Sequence, residues 1–332
     1  MRLFTLFTVC AALLAQTTKK GPEKPAPQKQ DEGLTSITVD VNVVSVLASV
    51  RDKRGALIPN LTKDDFTILE DGKPQTVKYF TKETDLPLTI GMLVDVSRSQ
   101  ENLIGIEQSA ASQFFAQVLR KKDLAFLIMF GEETELLQDY TGSARLLTEG
   151  LRQLRVSSGA GGIHPGPVPT ISQVRGTVLY DAIYLAADEK LKGEVGRKVI
   201  VVITDGDDHG SRLTRNQAIE AAQKADAVIY SIDYSDPRYG SMFGFGGNPG
   251  EGELRKMSDE TGGHVYKVDR KHTLDEVFKE LQEEMRSQYS IGYTPTNEVK
   301  DGSYRKVEIK LANKDLKPQA RKGYYATRPD AK

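Results

Sequence analysis

Four runs in the middle of the chain are apolar almost without a break: LTIGMLVDVS at 88–97, LAFLIMF at 124–130, KVIVVIT at 198–204 and AVIYSID at 227–233. A strand with one wet face alternates apolar and polar residues, so short continuous apolar runs predict strands covered on both faces of a parallel sheet. Helical spacing fills the intervals. The segment 101–120 brings Leu103, Ala110, Phe114 and Val118 near one face, and further helices are predicted through Leu146 and Leu154 and over 178–191, 214–225, 253–260 and 274–285. Short strands are expected around LLQDY and at HVYKV (264–268). Strands alternating with helices predict a doubly wound α/β domain with a mostly parallel sheet over residues 86–287.

A different rhythm flanks this domain. On the N-terminal side ITVDVNVVSVLASV, DFTILE and QTVKYF are rich in β-branched residues, and Asp71-Gly72 between the last two marks a tight hairpin. On the C-terminal side strands are expected in QYSIGYTP, SYRKVEIKLA and QARKGYYA. Each set is too small to stand alone in water, because strands must share a core to be stable. Residues 36–82 and 288–328 are therefore predicted to meet in one β-sandwich, with the α/β domain inserted between them.

Residues 1–16, MRLFTLFTVCAALLAQ, set Arg2 before an apolar run and a small residue, Ala15, as in a secretory signal peptide. The run is too short for a membrane anchor, and no later segment is apolar enough to span a bilayer. Residues 17–35, rich in Lys, Pro and Gln, carry too little apolar surface to offset ordering entropy and read as a disordered linker. The expectation is a secreted or periplasmic protein without a membrane span. With 45 Lys plus Arg against 46 Asp plus Glu, the net charge of -1 gives no general attraction to nucleic acid. Cys10 is the only cysteine, so neither an intrachain disulfide nor a cysteine-based metal centre is available.

The chemistry gathers at strand ends. LTIGMLVDVS runs into Asp95-Val96-Ser97-Arg98-Ser99, and KVIVVIT runs into Asp205-Gly206. Open parallel sheets bind ligands in the crevice beyond the carboxyl ends of their strands, where the strand order reverses. Thr177, on the loop that opens the helix carrying LYDAI, can reach the same crevice. Two carboxylates and three hydroxyls make an all-oxygen set, which selects a hard cation; so few carboxylates favour Mg²⁺, with Mn²⁺ as a substitute.

These residues, in the contexts GTVLYDAI and VVITDGDD, resemble the metal-ion-dependent adhesion site of von Willebrand factor type A domains. The resemblance spans about 200 residues and includes all five ligand types in the family's order. It implies that Ser97 and Ser99 bind the metal directly, that Thr177 binds directly or through water, and that Asp95 and Asp205 act largely through water. It further implies a protein partner offering an Asp or Glu to the open side of the metal. Arg98 places a cation beside the site. The flanks, with DFTILEDGKPQ before the domain and DGSYRKVEI after it, resemble secreted bacterial proteins related to this family.

Other readings compete for the same residues. An Asp-x-Ser-x-Ser string can simply cap a helix. Asp207 and Asp208 are extra ligands or solvated loop residues, and Asp181 fixes the loop by hydrogen bonds or touches the metal. His209 could serve as a base for Ser97 in a metal-dependent hydrolase, but neither a Gly-x-Ser-x-Gly elbow nor a phosphate-binding loop accompanies it. A structural envelope protein with a stabilising metal is the remaining alternative. The Gly-rich segment 240–252, with Met242, Phe243 and Phe245, is a flexible tip or a recognition loop, and the Gly/Pro segment 157–170 is similar. The helix at 274–285 leads directly into a sandwich strand, so it either packs passively or transmits the state of the site. The sequence reading favours a cation-dependent binding module, not an enzyme.

Overall fold

The computed structural model describes residues 43–82, 86–156, 176–235 and 250–327. The predicted signal peptide and linker, and the segment 157–170, lie outside the described residues, as does most of 240–252.

The central sheet has six strands: β5 (Leu88–Asp95), β6 (Leu124–Phe130), β7 (Thr134–Thr141), β8 (Arg197–Thr204), β9 (Ala227–Asp233) and β10 (Val265–Lys267). Their order is β10-β9-β8-β5-β6-β7, parallel throughout except for the antiparallel edge strand β7. From β5 the chain winds outward through β6 and β7, then returns to β8 and winds the opposite way. The reversal therefore falls between β5 and β8, the two strands that end at Asp95 and just before Asp205.

Helices cover both faces, as the continuous apolar runs require. Ile90, Met92 and Val94 of β5 pack with α1 (Ile104–Val118), α2 (Ala144–Leu151) and α6 (Leu274–Arg286). Leu93 and the alternate residues of β8 pack with α3 (Leu179–Tyr184), α4 (Arg215–Lys224) and α5 (Glu251–Thr261). A Cβ at Gly91 would lie 2.3 Å from the Phe126 ring, so glycine there lets the ring fill this second face.

Several boundaries differ from the sequence reading. The helix expected over 101–120 begins only at Ile104, because Arg98–Gln100 form a 3₁₀ turn first, and it ends where Leu119 turns extended. The helix expected through Leu154 stops at Leu151. The one expected over 178–191 changes from α to π hydrogen bonding at Leu185–Leu191.

The flanking strands do interleave. One sheet has the order β13-β1-β11-β4 and the other β14-β12-β2-β3, where β1 is Val44–Arg51, β2 Phe66–Glu70, β3 Lys73–Gln75 and β4 Val77–Lys82. The C-terminal members are β11 (Tyr289–Tyr293), β12 (Tyr304–Leu311), β13 (Lys317–Ala320) and β14 (Gly323–Tyr325). Val46, Ile68, Tyr289, Ile291 and Val307 share one core, so residues from both ends of the chain are needed to close it. The Asp71-Gly72 hairpin is present, with both residues at positive φ and Glu70 paired to Lys73. QTVKYF and QARKGYYA, each read as a single strand, instead contribute to two strands apiece, because the chain crosses from one sheet to the other within each segment. A length that suits one strand does not reveal such a crossing.

Candidate metal centre

β5 delivers Asp95 to the reversal point with no exposed surface. One carboxylate oxygen accepts from the Ser97 backbone N–H at 2.8 Å, and the other accepts from the Thr204 hydroxyl at 2.5 Å. Thr204 is the last residue of β8, so this contact ties the two strand ends together across the switch point.

The chain then bends. Ser97 is extended at the start of the 3₁₀ turn, and its side chain makes no capping bond. Its hydroxyl instead lies 3.1 Å from that of Ser99, and Ser99 donates to Asp205 Oδ2 at 2.6 Å. The helix-cap reading of the serines therefore fails. The late start of α1 is the local reason, since it leaves both serines on a turn over the strand ends.

Asp205 is held by its loop. Its Oδ1 accepts from the Asp207 N–H at 3.2 Å, and Gly206 follows at φ 83°. A Cβ on Gly206 would stand 2.6 Å from the Gly250 carbonyl oxygen, so the two backbones touch where a side chain has no room.

Thr177 reaches the same end through its backbone. The next residue, Val178, donates to the Gly131 carbonyl just beyond β6, while the Thr177 carbonyl accepts from the His209 and Gly210 N–H groups beyond β8. Since β5 lies between β6 and β8, Thr177 is tethered beside the end of β5. Three hydrogen bonds link Asp95, Ser97, Ser99 and Asp205 into one continuous chain, whereas Thr177 is brought near by backbone contacts.

The neighbouring candidates have other tasks. Asp181 accepts from the Arg212 and Leu213 N–H groups, and Asp208 accepts from the Tyr180 N–H and the Ser211 hydroxyl, so both brace the loops. The His209 ring is exposed and stands 3.5 Å from Asp207.

A third acid was not picked out from sequence. Glu107 on α1 is fully buried, and neither carboxyl oxygen has a hydrogen-bond partner among the described residues; the same holds for both polar atoms of the Gln100 side chain. Burial, then the charges of Asp95 and Asp205, push the Glu107 carboxyl well above its ordinary range. The signal was available: Glu107 falls within the apolar stripe Leu103, Ala110, Phe114, Val118, where a charged residue needs a reason.

The electrostatics suit a cation. Burial and the charge of Asp205 raise the Asp95 carboxyl to about 7, against the lowering hydrogen bonds from Ser97 and Thr204. Among the described residues no three His, Cys, Asp or Glu side chains gather as a metal cluster, so hydroxyls must complete any donor set. A buried carboxylate, Asp95, close to a half-buried one, Asp205, and flanked by hydroxyls fits a hard dication that Ser97, Ser99 and Asp205 could hold with Asp95 behind them.

The family model for the von Willebrand factor type A domain matches residues 170–280. No curated protein matches the chain in sequence. Similar solved structures include an aerotolerance-related membrane protein from Bacteroides fragilis, at 17% identity and TM-score 0.43, covering 60% of this chain and 98% of that one. BatB from Bacteroides thetaiotaomicron is 16% identical with TM-score 0.41, over 60% of this chain and 97% of the other. Proximal thread matrix protein 1 from the mussel byssus, whose adhesion-site motif is occupied by zinc, is 11% identical with TM-score 0.46, over 65% and 50%.

Proposed function

We propose that this chain, which carries a von Willebrand factor type A domain between the two halves of a β-sandwich, is an exported, cation-dependent protein-binding module. The observation that supports the reading best is the meeting of Asp95, Ser97, Ser99 and Asp205 at the reversal point of the sheet. Ser97, Ser99, Thr177 and Asp205 hold the ion, and Asp95 fixes the turn that presents the serines. When bound, Mg²⁺ or Mn²⁺ supplies an electropositive position to which an Asp or Glu of a partner adds. The serine hydroxyls carry no charge and the aspartates act largely through water, so the groups that touch the ion directly are neutral and its open side stays attractive to a partner's carboxylate. The predicted leader at 1–16 and linker at 17–35 would deliver the sandwich, at 36–82 and 288–328, and the 86–287 domain outside the cytoplasm. Among the described residues no helix is long and apolar enough to cross a membrane.

Calorimetric titration of Mg²⁺ and Mn²⁺ into wild type and Asp205→Ala tests the site. Saturable binding in wild type and its loss in the variant are expected; equal binding in both would refute the assignment. Envelope proteins retained with Mg²⁺, released by chelator and not captured by Asp205→Ala would identify the partner.

A further inference from the structure

A second polar site lies at the other end of the central sheet. A cavity of about 390 Å³ lies where β8 and β9 begin and is lined also by sandwich residues, among them Ser45, Arg305 and Arg321. Six cationic side chains line it, Arg197, Lys198, Lys224, Lys300, Arg305 and Arg321, against one carboxylate among the described lining residues, Asp226. Asp226 is already engaged by Arg321.

Lys198 is the telling residue. It is only 8% exposed, its ammonium donates to the Glu194 carbonyl at 3.2 Å, and no carboxylate of the described residues lies within ion-pair distance. A buried ammonium without a direct ion-pair partner is costly, and burial pulls the Lys198 amine below its ordinary value even though the more distant charges of Asp226 and Glu194 act to raise it. The Nε atoms of Arg305 and Arg321 are likewise buried without an acceptor among the described residues, although their other nitrogens are bonded. Arg305 already serves Glu70, and Lys224 serves Glu220. The surplus of positive charge thus centres on Lys198. A volume of this size suits a small molecule, and guanidinium and ammonium groups together suit multiple oxyanion oxygens.

We propose that this cavity binds a small organic anion through phosphate or carboxylate oxygens, with Lys198 as the principal counter-charge. The ligand bridges the start of β8 to the sandwich. Asp205 follows the far end of the same strand, roughly 25 Å away at the rise of an extended chain, so the anion site works independently of the cation site.

The test uses the full chain in chelator. Thermal midpoints and calorimetry are recorded with inorganic phosphate, with citrate and with sodium chloride at matched ionic strength. At least one of the two oxyanions is expected to bind saturably and raise the midpoint where chloride does not; phosphate alone indicates a phosphoryl ligand and citrate alone a carboxylate ligand. Lys198→Gln should weaken that binding about tenfold or more and Lys198→Arg should retain it. Lys224→Gln, at the more exposed rim, gives a smaller loss and serves if Lys198→Gln does not fold. Asp95→Ala should bind the anion as wild type does. The proposal is overturned if neither oxyanion binds saturably, or if folded Lys198→Gln, or Lys224→Gln in its stead, binds like wild type.

Discussion

Ser49 of the first sandwich strand donates a hydrogen bond of 2.8 Å to Glu284 of the last α/β helix, with no water-exposed surface on the acid. Arg51, two residues along the same strand, pairs with the other carboxylate oxygen, and Tyr266 of β10 donates to it at 2.6 Å. One buried acid thus joins the helix that precedes β11 to a strand contributed by the opposite end of the chain. Glu284→Ala is predicted to destabilise the protein by about 3–5 kcal/mol, because it strands Arg51, whereas Ser49→Ala costs about 1 kcal/mol. Urea denaturation of the two variants checks the ranking, and equal losses would contradict it.

The Asp95 carboxyl, raised to about 7, links stability to pH. In metal-free protein the folded state keeps a proton that the unfolded chain releases near its ordinary value of about 4. The stabilisation is complete below that lower value and is lost as pH rises to about 7, so metal-free stability should fall across this window. A divalent cation favours the carboxylate, so the midpoint gap between Mg²⁺ and chelator should widen over the same range. Asp95→Asn should flatten the metal-free profile. A metal-free wild type that gains stability from pH 5 to 7 would count against this account.

Glu107 contributes in the same direction, since its carboxyl is also raised by burial and by both aspartates. Glu107→Gln keeps the shape but cannot ionise. In chelator at pH 8 it is predicted to be more stable than wild type by on the order of 1–3 kcal/mol, with the difference shrinking toward pH 5. Chemical denaturation at the two pH values measures it; a loss of stability at pH 8 would mean that the ionised acid has a partner.

Gly206→Ala places a Cβ against the Gly250 backbone at a positive φ. The strain is expected to cost about 1–3 kcal/mol and to shift Asp205, weakening the response to Mg²⁺ in a thermal scan. Gly252→Ala, whose Cβ would meet nothing within 4 Å inside α5, is the control; it should keep the wild-type response to Mg²⁺ and be as stable as wild type or slightly more so.

The type of most elements, and which residues stand at the strand ends, can be read directly from the order of amino acids. Apolar runs such as KVIVVIT have no wet face, so they must be central strands, and polar residues directly after them must fall at the rim of the sheet. The same order also indicates that the terminal strands share one core, because neither set can bury its apolar face alone. Where QTVKYF and QARKGYYA change sheets is set by long-range packing, since each half of such a segment still reads as strand. Such packing also makes Ser97 and Ser99 turn toward Asp205 instead of capping a helix, because that depends on where α1 begins relative to the end of β5. Glu107, Lys198 and Glu284 show the same limit most clearly. A charged residue's environment is set by what distant segments bring against it, and local sequence carries no record of those neighbours.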